Sequence, residues 1–379
     1  MTAEPARCRG VQAGYRVTRG PCRRRPRGGA NGVPMRAALP AVLVFAAALA
    51  AAAAAGAAGT GASAAEVATP AKATAGPARF SITADNKAYE GFADVLKAMK
   101  GVPGGPGAFM ISVGDFNPPA DTRRRLDEAF GKSFPWYPVM GNHEADATSG
   151  SHPEDAAADE KRAEAGLPPK ECMAYLRDYF DKHLADGVHP GPDGTRETTY
   201  SFDAGEVHVA VINEYWDGKT RRGSDAALKG NVIAPLRDWL KKDLHASRKP
   251  WKLVFGHEPA FPQDDRDWKG SRHSGSSLNA YKKDRDALWK VLEEEGAAAY
   301  VCGHTHRYSR YQPKGSRVWQ IDAAQARNSK SSWKYDAFLI VTADRQSLRF
   351  DTYRSLKERG KFRLSDSLTL VAPAEEPAR

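Results

Sequence analysis

Four short apolar runs, Phe109 to Val113, Trp136 to Met140, Trp251 to Phe255 and Ala297 to Cys302, each lead into a glycine and read as buried β-strands. Between and around them apolar residues recur at helical spacing. Phe92, Val95, Leu96 and Met99 place a helix over 89–99, and Leu236, Leu240 and Leu244 place another over 233–244. Arg79 to Ala84 reads as a first strand, and further helices are expected over about 121–130, 172–184 and 281–295. The rhythm from 79 to 140 is therefore β-α-β-α-β, that of a largely parallel layer. Thr198 to Phe202 and Val207 to Asn213 suit a hairpin turning across Asp203-Ala204-Gly205-Glu206. Beyond His306 the segments shorten, and 317–321, 337–341 and 347–353 read as antiparallel strands.

Two polar stretches interrupt this pattern. One runs from Glu144 to about Pro169, too long for an ordinary connection and suited to the rim of a site, and the other from Gln263 to Asn279. No repeat of fixed period is present. A chain of 379 residues with 41% apolar content has ample material for a core. The expected organisation is a folded domain over 79–355 followed by a polar tail, 356–379.

The formal charge of +10 changes this picture only at the N-terminus. Residues 1–64 hold nine arginines and one acid, Glu4, which leaves 47 of the 56 basic and 45 of the 46 acidic side chains for the rest. The remainder is thus near neutral and carries no basic stripe interleaved with aromatics, which argues against a nucleic-acid partner. From Met35 the leader has the form of a secretory signal: Arg36, an apolar stretch from Leu39 to Ala58, and the small-x-small sequence Ala62-Ser63-Ala64. Residues 35–64 are accordingly read as a signal peptide and 65–78 as a linker, with Met35 as the expected start and 1–34 as an upstream extension. A secreted or periplasmic protein follows, without stable membrane association after cleavage; an uncleaved anchor is the alternative. Cys8 and Cys22 fall in the extension, so two cysteines, Cys172 and Cys302, remain in the domain and make no disulfide framework.

Each of the four strand-end glycines opens onto groups that bind metal: Gly114-Asp115, Gly141-Asn142-His143-Glu144, Gly256-His257 and Gly303-His304-Thr305-His306. Carboxylate, amide oxygen and imidazole are ligands for Zn, Fe and Mn ions, and strand ends are where open α/β sheets gather their ligands.

This ordered set, with Asp85 ahead of it, resembles the calcineurin-like metallophosphoesterase superfamily, which includes purple acid phosphatases; the resemblance covers roughly residues 80 to 310. It implies an α/β fold, a four-layer sandwich of two mixed β-sheets flanked by helices, and a centre of two divalent or trivalent metal ions. Asp115 would bridge them. Asn142, His257 and His304 would complete one site, and Asp85 and His306 the other. The implied reaction is hydrolysis of a small phosphate ester by metal-held hydroxide, with His143 contacting phosphate or protonating the leaving oxygen. The same centre serves phosphomonoesters and phosphodiesters, and a binding module without turnover is a third reading. Lys87, Asn117, His273 and Arg307 are candidate substrate contacts, as are Arg272, Ser274 and Ser276.

The chain departs from the pattern in two places. Many members read Asp-x-His where this chain has Asp85-Asn86-Lys87, and a protonated lysine has no lone pair to offer a metal. Water, Asn86 or Asn117 would fill that place, or the site would fill only with substrate, or Lys87 would itself replace a cation. A binuclear centre with one weaker metal is the reading taken. After Asp115 the chain runs Phe116-Asn117-Pro118-Pro119, where purple acid phosphatases carry an iron-binding tyrosine.

Overall fold

In a computed structural model of the protein, the structure describes residues 77–87, 90–147, 172–218, 229–330 and 333–372. The signal peptide, the extension, nearly all of the linker and the polar stretch from Thr148 to Glu171 lie outside the described residues. Among the described residues no helix is long and apolar enough to cross a membrane.

The first parallel layer forms where its pattern places it. Strands β1 (Ala78–Thr83), β2 (Met110–Val113) and β3 (Trp136–Val139) are joined by helices α1 (Phe92–Gly101) and α2 (Pro119–Phe130). All three strands pair in parallel. Pro119 sits in the first turn of α2, where a missing N–H costs nothing. A short helix α3 (Asn142–Ala147), not foreseen, begins at the Asn-His-Glu segment itself, and α4 (Cys172–His183) follows.

The second sheet carries β4 (His189–Pro190), β5 (Tyr200–Ala204), β6 (Val207–Val211), β7 (Trp251–Phe255), β8 (Ala299–Cys302), β9 (Tyr308–Tyr311) and β10 (Trp319–Ala323). Helices α5 (Ala234–Ala246) and α6 (Lys282–Glu294) cover its outer face. The chain then returns to the first sheet through β11 (Ala337–Ala343), β12 (Ser347–Arg354) and β13 (Arg363–Val371). The sheet orders are β13-β12-β11-β1-β2-β3 and β4-β5-β6-β7-β8-β10-β9.

Two expectations need correction. The polar tail is not outside the domain: residues 363–371 add an antiparallel edge strand to β12, with Phe350 paired to Leu368. Nor is the strand at 319–323 wholly antiparallel, because β10 runs parallel to β8 and antiparallel only to β9. Its C-terminal end therefore lies at the same edge as those of β7 and β8.

The sheets pack face to face by strand alternation. Val207, Val209 and Val211 of β6 and Leu253 and Phe255 of β7 face inward with Phe80, Ile82 and Phe109, while Ala210 and Val254 face α5 and α6. Tyr137 of the first sheet stacks on Phe202 of the second with centroids 4.0 Å apart. The result is four layers, helix, sheet, sheet, helix. Cys172 and Cys302 are buried, unpaired thiols.

Away from the strand ends, His208 of β6 is clamped between Asp203 Oδ1 (2.8 Å) and Asp243 Oδ2 (2.9 Å), tying β5 and β6 to α5. Burial alone would lower its pKa, but hydrogen bonds to the two carboxylates raise it to about 9. A histidine raised from 6.5 stabilises the fold fully below that pH and loses its contribution as pH passes 9, about 3 kcal/mol by simple linkage. Urea titrations at pH 7 and pH 10 should show wild type losing stability at the higher pH and His208→Ala, weaker at both, losing much less. Equal losses in the two proteins would show that His208 does not carry the effect.

Candidate metal centre

Five loops meet beyond the C-terminal ends of β1, β2, β3, β7 and β8, and each delivers one of the foreseen groups. The local backbone is unusual there. Of eight described non-glycine residues with positive φ, six belong to this crevice: Asp85, Lys87, Asp115, His273, His304 and His306. Left-handed geometry at bulky residues costs energy and survives only where surrounding contacts impose it. Here loop-to-loop hydrogen bonds do so: Asp85 N donates to Gly114 O (3.0 Å), Lys87 N to Asp115 O (2.8 Å) and Gly303 N to His257 O (2.9 Å). Gly114 has φ +76°, and a Cβ on it would lie 2.1 Å from His257 Nδ1, so glycine is needed for both backbone and space.

Asp115, Asn142, His257 and His304 converge. Asn142 Oδ1 lies 3.2 Å from His257 Nε2 and 3.1 Å from His304 Nδ1, and Asp115 Oδ1 is 3.5 Å from His257 Nε2. Ligands bound to one divalent ion at roughly 2.1 Å stand about 3.0–3.5 Å apart, the separation found between Asn142 and each histidine and between Asp115 and His257. His257 Nδ1 donates to Val113 O at 2.8 Å, which turns Nε2 toward the shell. Burial keeps His304 neutral and its Nε2, on the ring's other side, has no hydrogen-bond partner. This half fits a divalent ion.

The other half is crowded. Asp85, Asp115 and His306 bring ligand atoms within 4.8 Å of one another, a group able to hold a cation. His306 Nε2 is 3.2 Å from Asp85 Oδ1 and 2.9 Å from Arg327 Nη2, while His306 Nδ1 meets the Arg272 guanidinium. Burial would raise the Asp85 carboxyl, but His306, His257 and Arg327 hold it well below the usual range. Arg327 is anchored by its Nε to Asp85 O at 2.7 Å, and was not singled out from the sequence.

The remaining candidates are placed as follows. His143, on the partly exposed rim, has its N–H on Asp115 Oδ1 (3.1 Å) and its Nε2 2.9 Å from Lys87 Nζ. Burial lowers the pKa of both. His273 lies against His304, centroids 4.1 Å apart. Asn117 sits on the same loop as Asp115, its N–H donated to Glu144 and its Oδ1 buried without a partner. Asn86 turns its amide to Thr122 Oγ1, 3.2 Å away. Arg307 lies over the Tyr335 ring, 3.6 Å from its centroid; Ser274 is exposed, and Ser276 N bonds His273 O.

Behind the ligands stand carboxylates to which sequence reasoning gave no role. Glu144 is fully buried and accepts four backbone N–H groups, from Asp115 (2.8 Å), Phe116 (2.9 Å), Asn117 (2.8 Å) and Gly141 (2.9 Å). Burial and the Asp115 charge push it up to about 7, and the N–H donors pull toward the ionised form. Glu214 likewise accepts the N–H groups of His257 (2.9 Å) and Glu258 (2.7 Å) and the Tyr300 hydroxyl.

A model of the calcineurin-like phosphoesterase family matches residues 78–308, the span that contains all of these strand ends. The chain belongs to this family. Purple acid phosphatase 21 of Arabidopsis thaliana is 22% identical over 206 residues, covering 51% of this chain and 37% of that protein. The uncharacterized protein Rv2577 of Mycobacterium tuberculosis is 24% identical over 183 residues, covering 47% of this chain and 28% of the other. The aligned part thus spans about a third of these relatives. The solved structure of PhoD superposes with a TM-score of 0.49 at 12% identity, over 80% of this chain and 72% of that one. In this calcineurin-like phosphoesterase the residue after Asp115 is Phe116, buried edge-on against Trp136 (5.2 Å), and it contributes packing.

Two expectations follow. Glu144→Ala would leave three buried N–H groups and the half-buried one of Asn117 without their acceptor and lower unfolding free energy by at least about 3 kcal/mol in urea titrations; a loss under about 1 kcal/mol would show that the loops do not depend on it. Against the pull of burial, Asp115 and Asp85 raise His257 to about 9, so a metal entering at pH 7 must displace its proton. Calorimetric metal titrations in two buffers should show about one proton released per ion and affinity rising about tenfold per pH unit up to 9. A buffer-independent heat would count against His257 as ligand.

Proposed function

We propose that this chain is an exported, metal-dependent phosphoric ester hydrolase acting on a small phosphomonoester. The observation that carries the reading is the convergence of Asp115, Asn142, His257 and His304 in a strand-end crevice, donors of the right type with Asn142 at ligand spacing from both histidines and Asp115 from His257. A divalent ion bound there supplies Lewis-acid polarisation of a phosphoryl oxygen and activation of water. The leader from Met35 to Ala64 supports export.

The side chains around that shell do the rest. Lys87, Arg272 and Arg327 line the half of the crevice beside Asp85 and offer positive charge to phosphate oxygens. Three such cations suit the dianion of a monoester better than the monoanion of a diester. Lys87 and His143 share a hydrogen bond next to Asp115, and burial lowers the proton affinity of each. Together they hold a proton where a leaving oxygen would depart, His143 delivering it and Lys87 orienting its ring.

The test is a paired assay on aryl phosphate monoester and diester with metal-replete protein. The monoester should turn over faster, chelation should abolish turnover, and His143→Ala should lower kcat by about 10²–10⁴-fold with a smaller change in KM. Faster turnover of the diester would reassign the substrate class, and metal-replete protein inert on both would leave a phosphate-binding module.

A further inference from the structure

We propose that the Asp85–His306 half of the site takes no metal ion, its positive charge being supplied by Arg327 together with Arg272 and Lys87, so that the centre holds one metal. The inference rests on the metal-centre reading above.

The first ground is the lone-pair inventory. A neutral imidazole has one N–H and one lone pair. In His306 both ring nitrogens face guanidinium N–H groups, Nδ1 that of Arg272 and Nε2 that of Arg327 at 2.9 Å, and Nε2 also faces Asp85 Oδ1 at 3.2 Å. The arrangement that satisfies most partners puts the N–H on Nε2, donating to Asp85, and spends the lone pair of Nδ1 on Arg272. No lone pair is then left for an ion between His306 and Asp85. Two residues after Asp85 stands Lys87, whose ammonium has three donors and no acceptor.

The second ground is that Arg327 is built in. Its Nε is fixed on Asp85 O at 2.7 Å, its own N–H on Asp336 Oδ1 at 3.1 Å, and Ala326 N on Ala84 O at 2.9 Å, so the segment after β10 is fastened to the loop after β1. The guanidinium lies against the His306 nitrogen nearest Asp85, where an ion shared by Asp85, Asp115 and His306 would sit. A divalent cation there would face fixed positive charge at short range, while the buried Asp85 carboxylate already has its counter-charge.

The third ground is the contrast within one site. On the Asn142 side, no arginine or lysine contacts His257 or His304 among the described hydrogen bonds, and both imidazoles turn a ring nitrogen to Asn142 Oδ1, at 3.2 and 3.1 Å.

The experiment is metal stoichiometry of full-length protein loaded with Mn²⁺ and desalted, read by elemental analysis and electron paramagnetic resonance. Wild type should hold about one ion per chain with an uncoupled six-line spectrum, whereas a carboxylate-bridged pair would be exchange-coupled. The double variant Lys87→His, Arg327→Met should rise to about two coupled ions, and Arg327→Lys, which keeps the charge, should stay at one. Two coupled ions in wild type would overturn the inference alone and leave the hydrolase reading standing. One ion in the double variant, with unchanged thermal unfolding, would overturn the assignment of exclusion to these cations. Wild type holding no ion would defeat the metal-centre reading and this inference with it.

Discussion

Two carboxylates, Asp85 and Asp115, are buried at the ends of adjacent parallel strands with ligand atoms within 4.8 Å of each other, and they cannot carry their charge there without cations close by. The rest of the crevice answers that constraint. His257 is drawn toward its protonated form, Arg327 is fastened across Asp85, Lys87 hydrogen-bonds His143 on the rim, and Asn142 Oδ1 meets both His257 and His304.

Holding the carboxylates in place falls to charges behind them. Glu144 gathers four N–H groups from the turns after β2 and β3, so the Asp115 backbone and the start of the Asn142 helix share one anchor. Glu214 does the same for the turn after β7. The strained φ of Asp115 persists because Glu144 holds its N–H, and those of Asp85 and His304 because Asp85 N is fixed on Gly114 O and His304 N on Asp85 Oδ2. The insertion carrying Arg272 and His273 is tethered from farther away: fully buried Arg354 of β12 binds Asp265 at 2.7 Å and also reaches Asp267, and Asp265 accepts the N–H of Tyr308 at 3.0 Å. The last strands of the first sheet thereby help position a loop over a site built mostly by the first strands.

Much of this was legible along the chain. Apolar runs of five to six residues, each ended by glycine, marked the parallel strands, and the residues after each glycine are the groups the structure brings together. Where reading failed, the missing information was pairing. Nothing in Trp319 to Ala323 states that this strand runs parallel to β8; taken as antiparallel, it hid the fact that Arg327 emerges at the ligand edge. Residues 363–371 alternate with mixed polarity because an edge strand keeps one face and one margin in water, so they read as tail. Glu144 stood in plain view beside Asn142 and His143 but had no role assigned, because accepting four N–H groups from two turns depends on where those turns meet.

The sequence by itself therefore determined the types of the candidate ligands, their order and the strand ends that bear them, since these are local properties of residues and periodicity. Only the tertiary structure decided how those groups divide: His257 and His304 each turn a ring nitrogen to Asn142 Oδ1, and on the other side the ring nitrogens of His306 face arginines. The physical reason is that a coordination shell and a cation cluster can be written with the same residue types, and which one forms depends on distances between segments as far apart in the chain as Asp85 and Arg327.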